Sequence, residues 1–206
     1  MDAAAALLIV DIQNDFLPGG ALAVAGGDEV IPTINRVALH FDKIVLTQDW
    51  HPPGHISFAS THPGMSPYAT IDLPYGKQVL WPDHCVQGTL GVRFADKLAV
   101  PQAQAVIRKG YHAHTDSYSA FLEADRKTPT GLAGLLRERG VTTVYLAGLA
   151  LDFCVAWSAL DARSAGFEAI VIEDACRAID TNGSLEAALR AFDSAGVRRI
   201  GSDSLV

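Results

Sequence analysis

The chain carries three cysteines, Cys85, Cys154 and Cys176, among 206 residues. Cys154 follows an apolar run of strand length, Thr142–Ala147, and opens a helical pattern that reaches Ala165. A thiol at a helix N-terminus faces the positive end of the macrodipole, so its pKa is expected to fall. Two other strand ends offer partners. Asp11 follows Ala6–Val10 and could accept the thiol proton; Lys109 follows Ala103–Arg108 and would lower the thiol pKa further. Together they describe an activated cysteine nucleophile. Asp49 and His51, two residues apart on an extended segment, share one side of it. An oxygen and an imidazole suit Zn²⁺, Fe²⁺ or Mn²⁺. Four of the seven histidines lie between residues 51 and 84, so a third ligand is open to His55, His62 or His84. His112 and His114 read as a solvated pair, since no acidic ligand lies between them. Cys85, beside His84, reads as packing and Cys176 as structural.

The elements that must hold these groups alternate. Strand-length apolar runs occupy Ala6–Val10, Lys43–Thr47, Ala103–Arg108, Thr142–Ala147 and Glu168–Ile172, with a short last one at Arg198–Ile200. Helical periods occupy Asp28–Phe41, Gly131–Arg139, Phe153–Ala165 and Ser184–Ala195, the last three closed by Gly140, Gly166 and Gly196. Alternation of this kind makes βαβ units on a parallel sheet, and wholly apolar strands are covered on both faces. The expected fold is a three-layer α/β/α sandwich with a mainly parallel central sheet, one domain over residues 1–206. Residues 48–96, rich in Pro, Gly and His, break the alternation and read as a functional insertion. Ligands of such sheets bind beyond the carboxyl ends of the strands, where Asp11, Asp49, Lys109 and Cys154 all fall.

Composition narrows the class. Hydrophobic residues are 49% and charged residues 19%, too apolar for disorder, and the net charge is −7. That charge lacks the basic footprint of a nucleic-acid binder and disfavours an anionic membrane surface. No apolar run approaches the roughly 20 residues that span a bilayer. No basic flank precedes Ala3–Val10, so it reads as a buried strand rather than a signal peptide. Sparse cysteines without a CxxC pair fit a reducing, cytoplasmic setting. Phosphate-loop, GxGxxG, GxSxG and HExxH patterns are absent.

As a set, Asp11–Phe16 (DIQNDF), Asp49-Trp-His51, Trp81–Cys85 (WPDHC), Lys109-Gly110, Asp116–Phe121 (DSYSAF) and Gly148–Val155 (GLALDFCV) resemble the nicotinamidases, in the isochorismatase-like cysteine hydrolase superfamily. The resemblance spans nearly the whole chain. It implies Asp11, Lys109 and Cys154 as catalytic triad, and Asp49, His51 and His84 as ligands of one divalent metal, with His55 an open further ligand. Zinc is the first expectation for that metal, iron or manganese the alternatives. It also implies Phe16 and Trp81 as a clamp on the pyridine ring, the N–H groups of Ala150 and Cys154 as oxyanion hole, and a cis peptide before Ala150. The implied activity is hydrolysis of nicotinamide, and of pyrazinamide, to acid and ammonia in NAD salvage. One departure is Phe153, where many members carry Tyr or His, so a polar substrate contact is lost. Another amide or carbamoyl hydrolase of the superfamily, a metal-dependent ligand-binding module and a thiol redox protein are the alternatives. Isochorismatase chemistry fits less well, because ether hydrolysis does not need the cysteine. The expected partner is a small neutral substrate, without nucleic acid or membrane, in a chain that could form homo-oligomers.

Overall fold

The structure is a computed structural model that describes residues 2–205. Six strands form one sheet: β1 (Ala5–Val10), β2 (Ile44–Asp49), β5 (Ala105–Lys109), β6 (Thr143–Leu149), β7 (Glu168–Arg177) and β8 (Arg198–Ile200). Their order is β5-β2-β1-β6-β7-β8, and every pair is parallel. The chain moves outward from β1 through β2 to β5, then returns to lay β6 on the other side of β1. Strand order therefore reverses between β1 and β6, which opens a crevice beyond their carboxyl ends.

Strand period places alternate residues on opposite faces. Leu7 and Ile9 of β1 pack on one side with α1 (Val30–Ala38), through Val30, Ile31, Ile34, Val37 and Ala38. Ala6, Leu8 and Val10 pack on the other with α2 (Leu132–Glu138), α3 (Ala156–Ser164) and α4 (Ser184–Ala195). The three layers follow from this division. No helix among the described residues is long and apolar enough to cross a membrane.

Several strands outrun their apolar runs. β7 continues to Arg177, β2 to Asp49 and β5 to Lys109, so two of the polar candidate residues terminate the strands themselves. The 48–96 segment contains an antiparallel hairpin, β3 (Thr70–Leu73) and β4 (Gly76–Val79), that apolar patterning does not signal. Only Gln78 of its eight residues is buried, so burial left no hydrophobic run to read. The segment is packed against the domain by Phe58, Leu80, Trp81, Cys85 and Val92, all buried.

Candidate active site

Asp11 ends β1 in a left-handed turn (φ 49°), a conformation Asp tolerates better than most residues. Its Oδ1 accepts from Thr47 Oγ1 at 2.6 Å, and its N–H donates to the same oxygen at 3.2 Å. Lys109 ends β5, fully buried. Its three N–H groups go to Asp49 Oδ1 (2.6 Å), the Ser117 carbonyl (3.1 Å) and Cys154 Sγ (3.3 Å). Asp11 Oδ2 lies 2.8 Å from the same nitrogen, a fully buried ion pair. The ammonium therefore has four neighbours for three protons. Asp11, Asp49, the Ser117 carbonyl and the Cys154 sulfur contend for one buried cation.

Cys154 does not open a regular helix. Leu151–Val155 forms a π-helical turn ahead of α3, and Ala150, joined to Leu149 by a cis peptide, precedes that turn. The turn is held close to β1: a Cβ on Gly148 (φ 126°) would lie 2.1 Å from the Val10 carbonyl oxygen. The expectation of a lowered thiol pKa is overturned. Burial pushes the Cys154 thiol well above its usual value, Lys109 opposes this, and the Asp11 and Asp49 carboxylates add to it. Burial likewise raises Asp11, against the pull of Lys109 and with help from Asp49. Burial pulls Lys109 down, but Asp11 and Asp49 hold it well above the ordinary lysine value. One cation thus faces a protonated thiol and a carboxylate. Moving that proton from sulfur to Asp11 leaves the buried net charge unchanged, and Lys109 touches both ends of the transfer.

The second cluster sits beside the first. Asp49, His51 and His84 place one donor atom each within 4.8 Å of the others. His51 Nδ1 donates to the Gly110 carbonyl and His84 Nδ1 to the Pro82 carbonyl, both at 2.8 Å. These bonds turn both Nε2 lone pairs toward Asp49 Oδ2, at 3.5 and 3.6 Å. Donors bound tetrahedrally at about 2.1 Å from one ion lie about 3.4 Å apart, close to both separations from Asp49, so the three residues suit a divalent metal. Burial opposes charge on Asp49, but Lys109 and His51 hold its carboxyl well below the usual range, fit for a ligand. Two other groupings have the right spacing. That of Asp11, Asp49 and Cys154 is filled by the Lys109 ammonium. That of His51, His55 and Asp116 is closed because both His55 nitrogens are engaged, Nδ1 by Ser57 Oγ at 2.7 Å and Nε2 by the His112 and Thr115 carbonyls. His62 is turned away to the Ile56 carbonyl. The choice among His55, His62 and His84 therefore falls on His84.

A cavity, partly open to solvent, joins the clusters. Asp49, His51 and His84 line it together with Ala150 and Cys154, and Phe16, Trp81 and Phe153 supply aromatic walls. Trp81 is fixed by its Nε1 bond to Tyr118 Oη (2.9 Å) and by the edge of Phe153, ring centroids 4.9 Å apart. Sequence reasoning left Asp116 and Tyr118 without roles, although both line the cavity. It also missed Gln78, whose amide ties Asp116 Oδ2 (2.7 Å) to Tyr118 Oη (3.2 Å), and Asp152, whose carboxylate draws the Ile179 wall inward through its N–H at 3.0 Å. The unbroken DSYSAF stretch was the available signal for the first two. Cys85 and Cys176 are buried free thiols, and burial pushes Cys176 up to about 12, consistent with packing roles. His114 is exposed; His112 is half-exposed but holds the buried Glu123 carboxylate at 2.6 Å, so it is not wholly solvated.

This constellation has counterparts. The chain matches the isochorismatase domain model over residues 5–204. It is 59% identical over 201 residues to a nicotinamidase of Acinetobacter baylyi, covering 98% of this chain and 94% of that one. It superimposes on an Acinetobacter baumannii nicotinamidase/pyrazinamidase with a TM-score of 0.99 at 59% identity, covering 100% of both chains. It also superimposes on the Pyrococcus horikoshii pyrazinamidase in complex with zinc, with a TM-score of 0.79 at 36% identity over 96% and 99% of the two chains. With a parallel sheet, a buried cysteine at its reversal point and a sequence match along almost its full length, the chain belongs to the isochorismatase domain family.

Proposed function

We propose that this protein is a nicotinamidase that hydrolyses nicotinamide, and pyrazinamide, to the carboxylic acid and ammonia through a thioester on Cys154. The observation that carries the reading is the Lys109 ammonium. It lies 2.8 Å from Asp11, 3.3 Å from Cys154 and 2.6 Å from Asp49, whose metal donor set shares a cavity with Cys154. Similarity to nicotinamidases supports the substrate.

Asp11 Oδ2 takes the Cys154 proton and the thiolate attacks the amide carbon. The N–H groups of Ala150 and Cys154 receive the oxyanion, a contribution that is commonly the largest in acyl transfer. Protonated Asp11 then returns its proton to the departing ammonia. Water cleaves the thioester with Asp11 again as base, which releases the acid and restores the thiol. Lys109 keeps Asp11 ionised between steps and balances the thiolate. Asp49, His51 and His84 would hold a divalent ion, with zinc favoured by the zinc-bound relative. Such an ion supplies a Lewis-acid anchor for the ring nitrogen. Phe16 and Trp81 close on the ring faces, and Phe153 adds an apolar edge without a hydrogen bond. The whole chain acts as one domain, with residues 48–96 as its metal- and substrate-binding insertion. The setting we propose is cytoplasmic NAD salvage, whose substrate is small and neutral.

Three substrates test this. Ammonia release is expected from nicotinamide and pyrazinamide, while benzamide, lacking the ring nitrogen, should lose at least about 100-fold in kcat/KM. Equal turnover of benzamide would refute ring-nitrogen anchoring. No ammonia from any of the three would refute the amidase reading.

A further inference from the structure

We infer that Gln13 is a positioning residue for the metal ligand Asp49, its side-chain amide standing in for a missing strand residue. β1 stops at Val10, and its register with β2 runs only from Leu7–Ile44 to Ile9–Leu46. Asp49, three residues further along β2, pairs with Lys109 of β5 on its outer side. On its inner side no backbone partner remains, so its N–H and C=O would be buried and unpaired.

Gln13 supplies both bonds. Its Oε1 accepts from the Asp49 N–H at 2.8 Å, and its Nε2 donates to the Asp49 carbonyl at 2.9 Å. A carboxamide carries the same donor–acceptor pair as a peptide unit, so the ladder gains one more rung through a side chain. The amide orientation is set, because the Asp49 N–H can only donate. The second Nε2 proton goes to the Val92 carbonyl at 2.9 Å. Gln13 is fully buried, so water does not compete for these bonds.

The consequence falls on the carboxylate. With the Asp49 backbone clamped from both sides, Oδ1 is directed to Lys109 and Oδ2 to the His51 and His84 nitrogens. Partners of this kind typically contribute 10–100-fold to metal affinity. Gln48 provides an internal control. It donates to the same Val92 carbonyl at 2.9 Å, and its side chain makes no bond to Asp49.

The inference rests on the metal reading above, and the test separates the two. Purified protein stripped with chelator is titrated with Zn²⁺ against a competing indicator, and thermal unfolding is followed in parallel. Gln13→Met keeps the length and removes both bonds. It is expected to raise the Zn²⁺ dissociation constant about 10–100-fold, while Gln48→Met stays within about threefold of the unmodified protein. Gln13→Asn, one methylene short of Asp49, should fall with Gln13→Met and serves if the latter does not fold. Zn²⁺ affinity of the Gln13 variants within threefold of the unmodified protein, or an equal loss in Gln48→Met, would overturn the positioning role. Absence of Zn²⁺ binding by the unmodified protein would instead overturn the metal reading itself.

Discussion

Replacing Gly110 with alanine isolates how the metal donors are aimed. Gly110 has φ 65°, and its carbonyl accepts from His51 Nδ1 at 2.8 Å. A Cβ there would lie 2.4 Å from His51 Cε1 and 2.7 Å from Nδ1. Real Cβ contacts do not fall below 3.0 Å, so the ring must retreat by about 0.6 Å. The ring has little room, with His55 stacked at 4.2 Å and Phe58 at 5.4 Å between centroids. Metal–ligand distances tolerate about 0.2 Å, so the shift takes His51 outside the coordination range. The left-handed backbone alone costs a non-glycine residue about 1–2 kcal/mol. Gly140→Ala is the matched control: its φ is 67° and nothing lies within 4 Å of the added Cβ. Gly140→Ala should lose about 1–2 kcal/mol in urea unfolding. Gly110→Ala alone should lose more than that and bind Zn²⁺ at least about tenfold more weakly in a chelator competition. Unchanged Zn²⁺ affinity in Gly110→Ala would refute the argument that this glycine aims His51.

Asp11→Asn keeps a polar group at Thr47 and removes the proposed base, so kcat should fall by about 10²–10⁴-fold. Because burial raises the Asp11 pKa and the base must be ionised, the acid limb of kcat/KM should lie above the ordinary carboxylate value of 3.8. Activity held constant down to that pH would remove Asp11 as the base. His55, buried with both nitrogens engaged, is lowered to about 4 from 6.5, chiefly by burial and then by His51. The unfolded chain takes up this proton first. Stability present above pH 6.5 should therefore be lost as pH falls toward 4, on the order of 3 kcal/mol. Urea unfolding of His55→Gln should show a flatter profile across that window, and an identical slope would discount His55 as the source.

Much of the sandwich was legible because buried parallel strands are apolar on both faces, as Ala6–Val10 is. Their ends were not, since Gln48, Asp49 and Lys109 extend strands although they are polar, and the last two carry site chemistry. Period 2 was readable as putting Asp49 and His51 on one side of their segment, and both line one cavity. A third member of the cluster was not, because His55, His62 and His84 differ in which carbonyl each ring meets in the folded chain, Pro82 for His84, Ile56 for His62 and the remote His112 for His55, and apolar or polar patterning carries no trace of those bonds. Thiol electrostatics were misjudged for a similar reason. A helix start suggests a lowered pKa, but Cys154 lies buried in a π-helical turn facing two carboxylates. Gln13 was hidden within a motif whose Asp and Phe attract more notice, since a side-chain amide completing a ladder has no periodic signature.

The central claim is that Cys154 forms the acyl intermediate of an amide hydrolysis. Its most direct measurement is ammonia release from nicotinamide by the purified protein and by Cys154→Ala, with metal content and melting temperature matched. The account predicts turnover by the former and a loss of at least about 10⁴-fold in the latter. Ammonia release by Cys154→Ala at a comparable rate would contradict it.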